Sequence, residues 1–280
     1  MNPNNKNILT VAYINVHGQS NLTEAKQLQL EDFIKYNKID IAHLQETEIC
    51  DTTFSTCNFI SSSFNLYTNN AANKYGTSSL VKSVYSVENF KCDTAGRALV
   101  FDIEGLTFGN LYGHSGTDAR SRANREHFYA EVVPQLLTSR KTDGCVGGDL
   151  NCIIDKADAT THPEAKMSNC LKRVTKVFDM KDSFRALYPK VQAFSRYYGD
   201  TRGQGATRID RQYHYGNITI MEAKYLPLSF SDHHSLVVTI CLPDPLSKMI
   251  CPRAQPSFRL SDEVINDHEF QEKVASHIVD

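Results

Sequence analysis

The chain has 280 residues, of which 41% are hydrophobic and 22% charged, and its formal net charge is -2. That allows one large globular domain or two small ones. The near-neutral balance disfavours non-specific coating of DNA but leaves room for local basic patches. The cysteines at Cys50, Cys57, Cys92, Cys145, Cys152, Cys170, Cys241 and Cys251 form no Cys-x-x-Cys pair. A zinc ribbon and a disulfide framework are therefore not expected, and the thiols read mostly as reduced core filling. No run nears the roughly 18 apolar residues of a membrane span. Met1 to Asn7 shows no apolar h-region, so a protein without a signal peptide, in the cytosol or nucleus, is expected.

Ile8 to Val16 is rich in β-branched residues and predicts a buried strand. Leu22 to Asn37 predicts a helix with Leu30, Phe33 and Ile34 on one face, capped by Asn21 or Thr23. Residues 39–46 form a second strand running to Glu46, and a polar stretch over 51–75 follows. Strand-like pieces come at 77–87, 97–103 and 106–112. A helix is predicted over 119–137, with Phe128, Val132, Leu136 and Leu137 inward. Next come a short strand over 144–149, a helix over 168–180, and strands at 191–198, 207–213, 217–222 and 235–242. Runs of strands with short links dominate both halves. That favours an α/β protein of two mixed sheets packed face to face, with helices outside. After Leu242 the texture changes: Pro243, Pro245, Pro252 and Pro256 mark a linker, and 262–279 could form an acidic helix outside the core.

Polar groups fall repeatedly at predicted strand ends: Asn15, Glu46, Tyr112, Asp149, Asn151, Asp210, Asp232 and His233. Glu46 is a hard oxygen donor suited to Mg²⁺, or else an exposed strand-end acid. Asp149 and Asn151 follow Gly147-Gly148, which would let a phosphate or a strand approach the backbone. Two residues apart on an extended chain, they point to one side. Asp210 with His233 makes a candidate acid–imidazole dyad, leaving Asp232 to bind metal or orient water. Structural roles are expected for His17, His43 and His114, and packing or exposure for His234. Tyr112 could reach a phosphate or simply pack. The phosphate-loop, nucleophile-elbow and zinc-protease motifs are missing.

In this order the motifs resemble the endonuclease/exonuclease/phosphatase superfamily. They are most similar to the apurinic-endonuclease-like domain at the N-terminus of the second open reading frame of non-LTR (long interspersed) retrotransposons. The similarity spans roughly 8–242 and rests on Tyr13-Ile-Asn15-Val-His-Gly18, Gln45-Glu46-Thr47, Asn110-Leu-Tyr112, Gly147-Gly-Asp149-Leu-Asn151, Ile209-Asp210 and Ser231-Asp232-His233. Phe194-Ser195-Arg-Tyr197 occupies the place of a Tyr-Thr-Phe-Trp-like stretch. Departures are His17 for the second Asn of Asn-x-Asn-Gly, Gly113-His114 after the tyrosine, and the lack of any Trp. Phe258-Arg-Leu to Phe270 resembles the segment leading to a downstream reverse transcriptase.

The resemblance implies a four-layered α/β sandwich over 1–242, with 243–280 a linker toward a missing region. It implies nicking of one strand of a double-stranded DNA target to leave a 3′-hydroxyl, which primes reverse transcription of the element RNA in the nucleus. Glu46 and Asp232 would hold Mg²⁺, with Mn²⁺ the alternative. Asp149 would orient or deprotonate water. Asn15 and Asn151 would hold phosphate oxygens or order the network. His233, steered by Asp210, would stabilise charge or protonate the leaving oxygen, and Tyr112 and Ser195 would contact the phosphate. Ser231, Arg202 and Arg208 are counted with the substrate-binding groups. Tyr197 to Thr207 reads as a hairpin around which Arg196, Arg202, Arg208 and Arg211 cluster, placed to enter a minor groove. The rival readings are an abasic-site repair endonuclease or another phosphodiesterase or phosphatase of the superfamily, and a catalytically silent nucleic-acid-binding module.

Overall fold

Residues 8–17, 22–47, 53–70, 76–138, 140–200 and 203–242 are described by the computed structural model, all within the unit Met1–Pro243. The expected linker and tail helix at 243–280, and Arg202, lie outside the described residues. In chain order the elements begin with β1 (Ile8–Asn15), α1 (Glu24–Tyr36), β2 (Ile41–Thr47), α2 (Asn58–Ser63), β3 (Phe64–Asn69), β4 (Gly76–Lys82), β5 (Glu88–Cys92), β6 (Ala98–Ile103) and β7 (Leu106–Tyr112). They continue with α3 (Ala119–His127), α4 (Val133–Leu137), β8 (Gly144–Asp149), α5 (Asn169–Val177), β9 (Lys181–Asp182), α6 (Ser183–Leu187), β10 (Arg196–Asp200), β11 (Gly203–Thr207), β12 (Asp210–Tyr215), β13 (Thr219–Pro227) and β14 (His234–Cys241).

The strands form two six-stranded mixed sheets, ordered β13-β14-β1-β2-β4-β3 and β5-β6-β7-β8-β12-β9, plus the two-stranded ribbon β10-β11. Pairs β1–β2 and β7–β8 are parallel, so Asn15 and Glu46 arrive at one end of the first sheet. Tyr112 and Asp149 sit opposite one another in the second. The period-two alternation of strands sorts the apolar residues into layers. Leu9, Val11 and Tyr13 of β1, Leu99 and Phe101 of β6, and Leu236, Val238 and Ile240 of β14 meet between the sheets. Ala12, Ile14 and Val237 face outward, against Leu30 and Ile34 of α1 and Ile60 of α2. Val100 and Val146 face the other way, against Phe128, Tyr129, Leu136, Leu171 and Val174. Helix, sheet, sheet, helix is the sandwich that the strand-rich pattern predicts. Each fully buried side chain of this kind contributes about 1.5–3 kcal/mol.

Local chemistry explains the helix ends. Thr23 accepts from the Lys26 amide and Ser168 from the Leu171 amide, each satisfying an otherwise unpaired first-turn N–H. The helix expected over 119–137 is interrupted by a π-turn at Phe128–Val132. Its inward residues Phe128, Leu136 and Leu137 are buried as predicted. The polar 51–75 stretch holds α2 and β3, whose alternation is blurred because β3 is a sheet edge. The strand expected over 191–198 is confined to β10, which begins at Arg196.

Candidate active site

Every strand that approaches the site delivers its polar residue at the same end of the sandwich. Asn15 lies at the end of β1 and Glu46 near the end of β2. Tyr112 and Asp149 end β7 and β8, Asp210 opens β12, and Asp232 and His233 immediately precede β14. Gly148 makes the crowding possible: its φ is +139° and a Cβ there would lie 1.9 Å from the Leu111 carbonyl oxygen. Glu46, Asn151 and His17 all adopt left-handed backbone, with φ of 58°, 51° and 49°. Non-glycine residues held there mark a locally over-determined structure of the kind that clusters at functional sites.

A chain of hydrogen bonds joins the sheets. The Tyr112 hydroxyl donates to Glu46 Oε1 at 2.9 Å. Asn15 Nδ2 donates to the same oxygen at 3.2 Å and to Asp149 Oδ2 at 2.9 Å. Asn151 donates to Asp149 twice, from its amide at 3.0 Å and from Nδ2 at 3.1 Å; the two side chains converge, but through the left-handed turn at Asn151 and not through extended backbone. Asp210 Oδ2 lies 2.8 Å from His233 Nδ1, which establishes the expected dyad. Ligand atoms of Asp149, Asp210 and His233 all fall within 4.8 Å of one another, and all three residues are buried. Ser231 Oγ donates to the Asn15 carbonyl at 2.7 Å, tying the 231–233 turn to the strand that bears Asn15.

Burial pushes the Asp149 carboxyl above the ordinary carboxylate range, and the Asp210 carboxylate pushes it further. Burial alone would lower the His233 imidazole, but the Asp210 and Asp149 carboxylates outweigh it and raise it. The cluster therefore favours the charged imidazole at His233 and makes the Asp149 carboxylate more basic than an ordinary one. The Tyr112 phenol is raised, first by burial and then by Glu46 and Asp149, and stays protonated as a donor.

The donor set suits a hard divalent cation. Glu46 is half-buried, and among the described residues both its hydrogen bonds fall on Oε1. Asp210 Oδ1 is buried with no hydrogen-bond partner. Carboxylate oxygens left open in this way match what Mg²⁺ or Mn²⁺ requires.

Other expectations need correction. Ser195 does not face the cleft: it is fully buried, and its Oγ accepts from the Ile209 and Asp210 amides, each at 3.0 Å. It holds the backbone that carries Asp210. The Ser231 hydroxyl is likewise taken up by backbone, accepting from the His233 amide at 3.1 Å besides its bond to Asn15. Arg208 and Arg211 are not on the ribbon's surface. Both are buried against Asp158, Arg208 through Nε at 2.8 Å and Nη2 at 3.0 Å, Arg211 through Nη2 at 3.5 Å. Burying a guanidinium is tolerable only beside a carboxylate, and Asp158 supplies it. His17, expected to be structural, has its Nδ1 3.1 Å from Asp232 Oδ1. Arg196 grips Asp232 Oδ2, at 3.0 Å from Nη2. Asp158 and His17 carry no sequence signal for these roles, because their partners lie far along the chain. His43 pairs with Ser79 Oγ at 2.7 Å, His114 meets Phe128 edge-on and His234 packs on Tyr197, which suits their expected roles.

No protein-family model matches the sequence, and no curated protein does. The fold is similar to solved structures. An AP endonuclease from Archaeoglobus fulgidus superposes with a TM-score of 0.66 at 16% identity, covering 82% of this chain and 98% of that one. The 3′ phosphatase NExo from Neisseria, bound to a product DNA hairpin, gives 0.66 at 18% identity over 82% and 98%. Truncated Caenorhabditis elegans TDP2 gives 0.57 at 19% identity over 84% and 98%. The structural neighbours are thus members of the AP endonuclease/exonuclease/phosphatase superfamily, and the chain has their α/β-sandwich fold.

Proposed function

We propose that the chain is a metal-dependent DNA endonuclease that nicks one strand and leaves a 3′-hydroxyl, the priming nuclease of a non-LTR retrotransposon. The observation that carries the hydrolytic reading is the convergence of Asn15, Glu46, Asp149 and Asn151 from both sheets into one hydrogen-bonded network, with the Asp210–His233 pair within 4.8 Å of Asp149. The motif order supports the retrotransposon assignment, and with it double-stranded DNA as target, action in the nucleus, and a reverse transcriptase and element RNA as partners beyond 243–280.

In the reaction a water oxygen forms a bond to phosphorus and the bond from phosphorus to the 3′ oxygen breaks. Asp149 takes the water's proton, and its raised basicity suits that task. Asn15 and Asn151 hold that carboxylate in place. His233, kept protonated by Asp210, faces the charge that develops on the phosphate and supplies a proton to the leaving oxygen. Tyr112 fixes the Glu46 carboxylate. A divalent cation held by Glu46 would supply positive charge against the phosphate oxygens; Asp232, the other expected ligand, is instead engaged on both oxygens by His17 and Arg196.

The test is nicking of a closed circular plasmid in Mg²⁺. Nicking should vanish with chelator and fall about 10²–10⁴-fold in His233→Ala and Glu46→Gln. The new ends should be extendable by a polymerase. An abasic duplex cut far better than intact DNA would favour the repair reading. Absence of chelator-sensitive nicking from the folded protein would leave a silent binding module.

A further inference from the structure

Beside the carboxylate cluster lies a cavity of about 230 Å³. Asn151 is part of its wall, and the same Asn151 donates to Asp149, so the cavity and the cluster share a side. Its lining includes Arg125, Lys166 and Arg196 and no acidic residue. Arg196 is committed to Asp232, but the other two cations are not neutralised.

Arg125 is 2% exposed. Its Nη1 donates to the carbonyls of His114 and Gly116, at 2.8 and 3.0 Å, and its Nε has no partner. No carboxylate lies within ion-pairing distance of it among the described residues. A buried guanidinium without a counter-ion is costly, and two carbonyls offset only part of that cost. Lys166 faces the same space. Its Nζ donates to the Tyr198 hydroxyl, sits 4.2 Å from the centre of that ring, and likewise meets no carboxylate among the described residues. Tyr198 belongs to β10 and is further held by Thr161 at 2.9 Å. The cavity is thus a recess lined by two cations that meet no carboxylate among the described residues.

We infer that this recess binds an anion, namely a backbone phosphate of the substrate strand adjoining the one that reacts at Asp149 and His233. The inference rests on the hydrolytic reading above for the identity of the reacting phosphate, but the recess and its charge stand apart from it. A phosphodiester oxygen offers the planar guanidinium and the ammonium the charge-assisted partner each lacks. Anchoring a neighbouring phosphate fixes the strand's register without reading its bases.

The first test uses inorganic phosphate, titrated calorimetrically in chelator so that no divalent cation contributes. Lys166→Met is the main variant because Lys166 is half-exposed; Arg125 is avoided because it holds two loop carbonyls. Binding should weaken about tenfold in Lys166→Met and be retained in Lys166→Arg and His233→Ala. No detectable phosphate binding, or a loss in His233→Ala with none in Lys166→Met, would overturn the site. The second test is plasmid nicking. A closed circle has no terminal phosphates, so a roughly tenfold rise in KM for Lys166→Met with kcat little changed assigns the anion to an internal phosphodiester. An unchanged KM would overturn that assignment. Loss of all nicking activity in the unmodified protein would instead refute the proposed function, while the phosphate titration still reads the recess.

Discussion

Asp158 is expected to be the most stability-critical polar residue in the molecule. It is 1% exposed, and its oxygens accept from Arg185 Nη2 at 2.8 Å, Arg208 Nε at 2.8 Å and Arg208 Nη2 at 3.0 Å, with Arg211 Nη2 at 3.5 Å. Asp182 supplies the second carboxylate, 2.8 Å from Arg208 Nη2. Asp158→Asn leaves three guanidiniums, two of them fully buried, against one carboxylate. Breaking a buried ion pair from one side costs about 3–5 kcal/mol, since the stranded charge has no water to turn to. With a urea slope of about 3 kcal/mol per M for a domain of this size, the unfolding midpoint should fall by roughly 1–1.7 M. Burial pushes the Asp158 carboxyl up, but Arg211 and Arg208 outweigh it and hold it below the ordinary range. The carboxylate's contribution is therefore fully present at neutral pH and is lost only as pH falls through that depressed value. Urea melts of both proteins at pH 7, followed by circular dichroism, measure the difference. A shift under about 0.3 M would refute the claim that Asp158 compensates these cations. Recovery in a double variant, Asp158→Leu with Arg211→Met, would support it.

Two further outcomes follow from the same geometry. Ser195→Ala removes the acceptor of two buried amides, at Ile209 and Asp210, and should lower stability by about 1–3 kcal/mol. It should also reduce nicking at least tenfold through kcat, with Ser195→Thr restoring both. Equal activity in Ser195→Ala would mean the Asp210 backbone does not need this clamp. Burial lowers the His43 imidazole to about 3, so it is neutral in the folded protein. Its contribution is complete above the ordinary value of about 6.5 and is lost as pH falls below it. Between pH 7 and pH 5 the unmodified protein should lose about 2 kcal/mol more than His43→Gln, measured by urea midpoints at both pH values. Parallel losses in the two proteins would count against a neutral buried imidazole.

Short-range signals were enough for much of this molecule. Short β-branched and apolar runs located β1, β2, β6, β7, β8 and β14, because strands buried on both faces are apolar nearly throughout. Thr23, one of two candidate caps, announced its helix, because a cap acts within three residues; the Ser168 cap was seen only in the structure. The strand-end positions of Asn15, Glu46, Asp149, Asp210 and His233 foreshadowed the cluster, since the C-terminal ends of parallel strands and the N-terminal ends of their antiparallel neighbours meet at one side of a sheet. What only the tertiary structure decided is which long-range partner each polar atom takes. Ser195 reads as a phosphate contact until its hydroxyl is seen under the Asp210 amide, and Arg208 reads as an exposed ribbon cation until Asp158, fifty residues earlier, buries it. His17 gains Asp232 from more than two hundred residues along the chain, and Arg125 meets no carboxylate among the described residues. Charge compensation operates through space over a few ångströms and leaves no periodicity along the chain. The order of residues could name the chemistry, but only the packed sheets determine which charges are spent on the fold and which remain for a substrate.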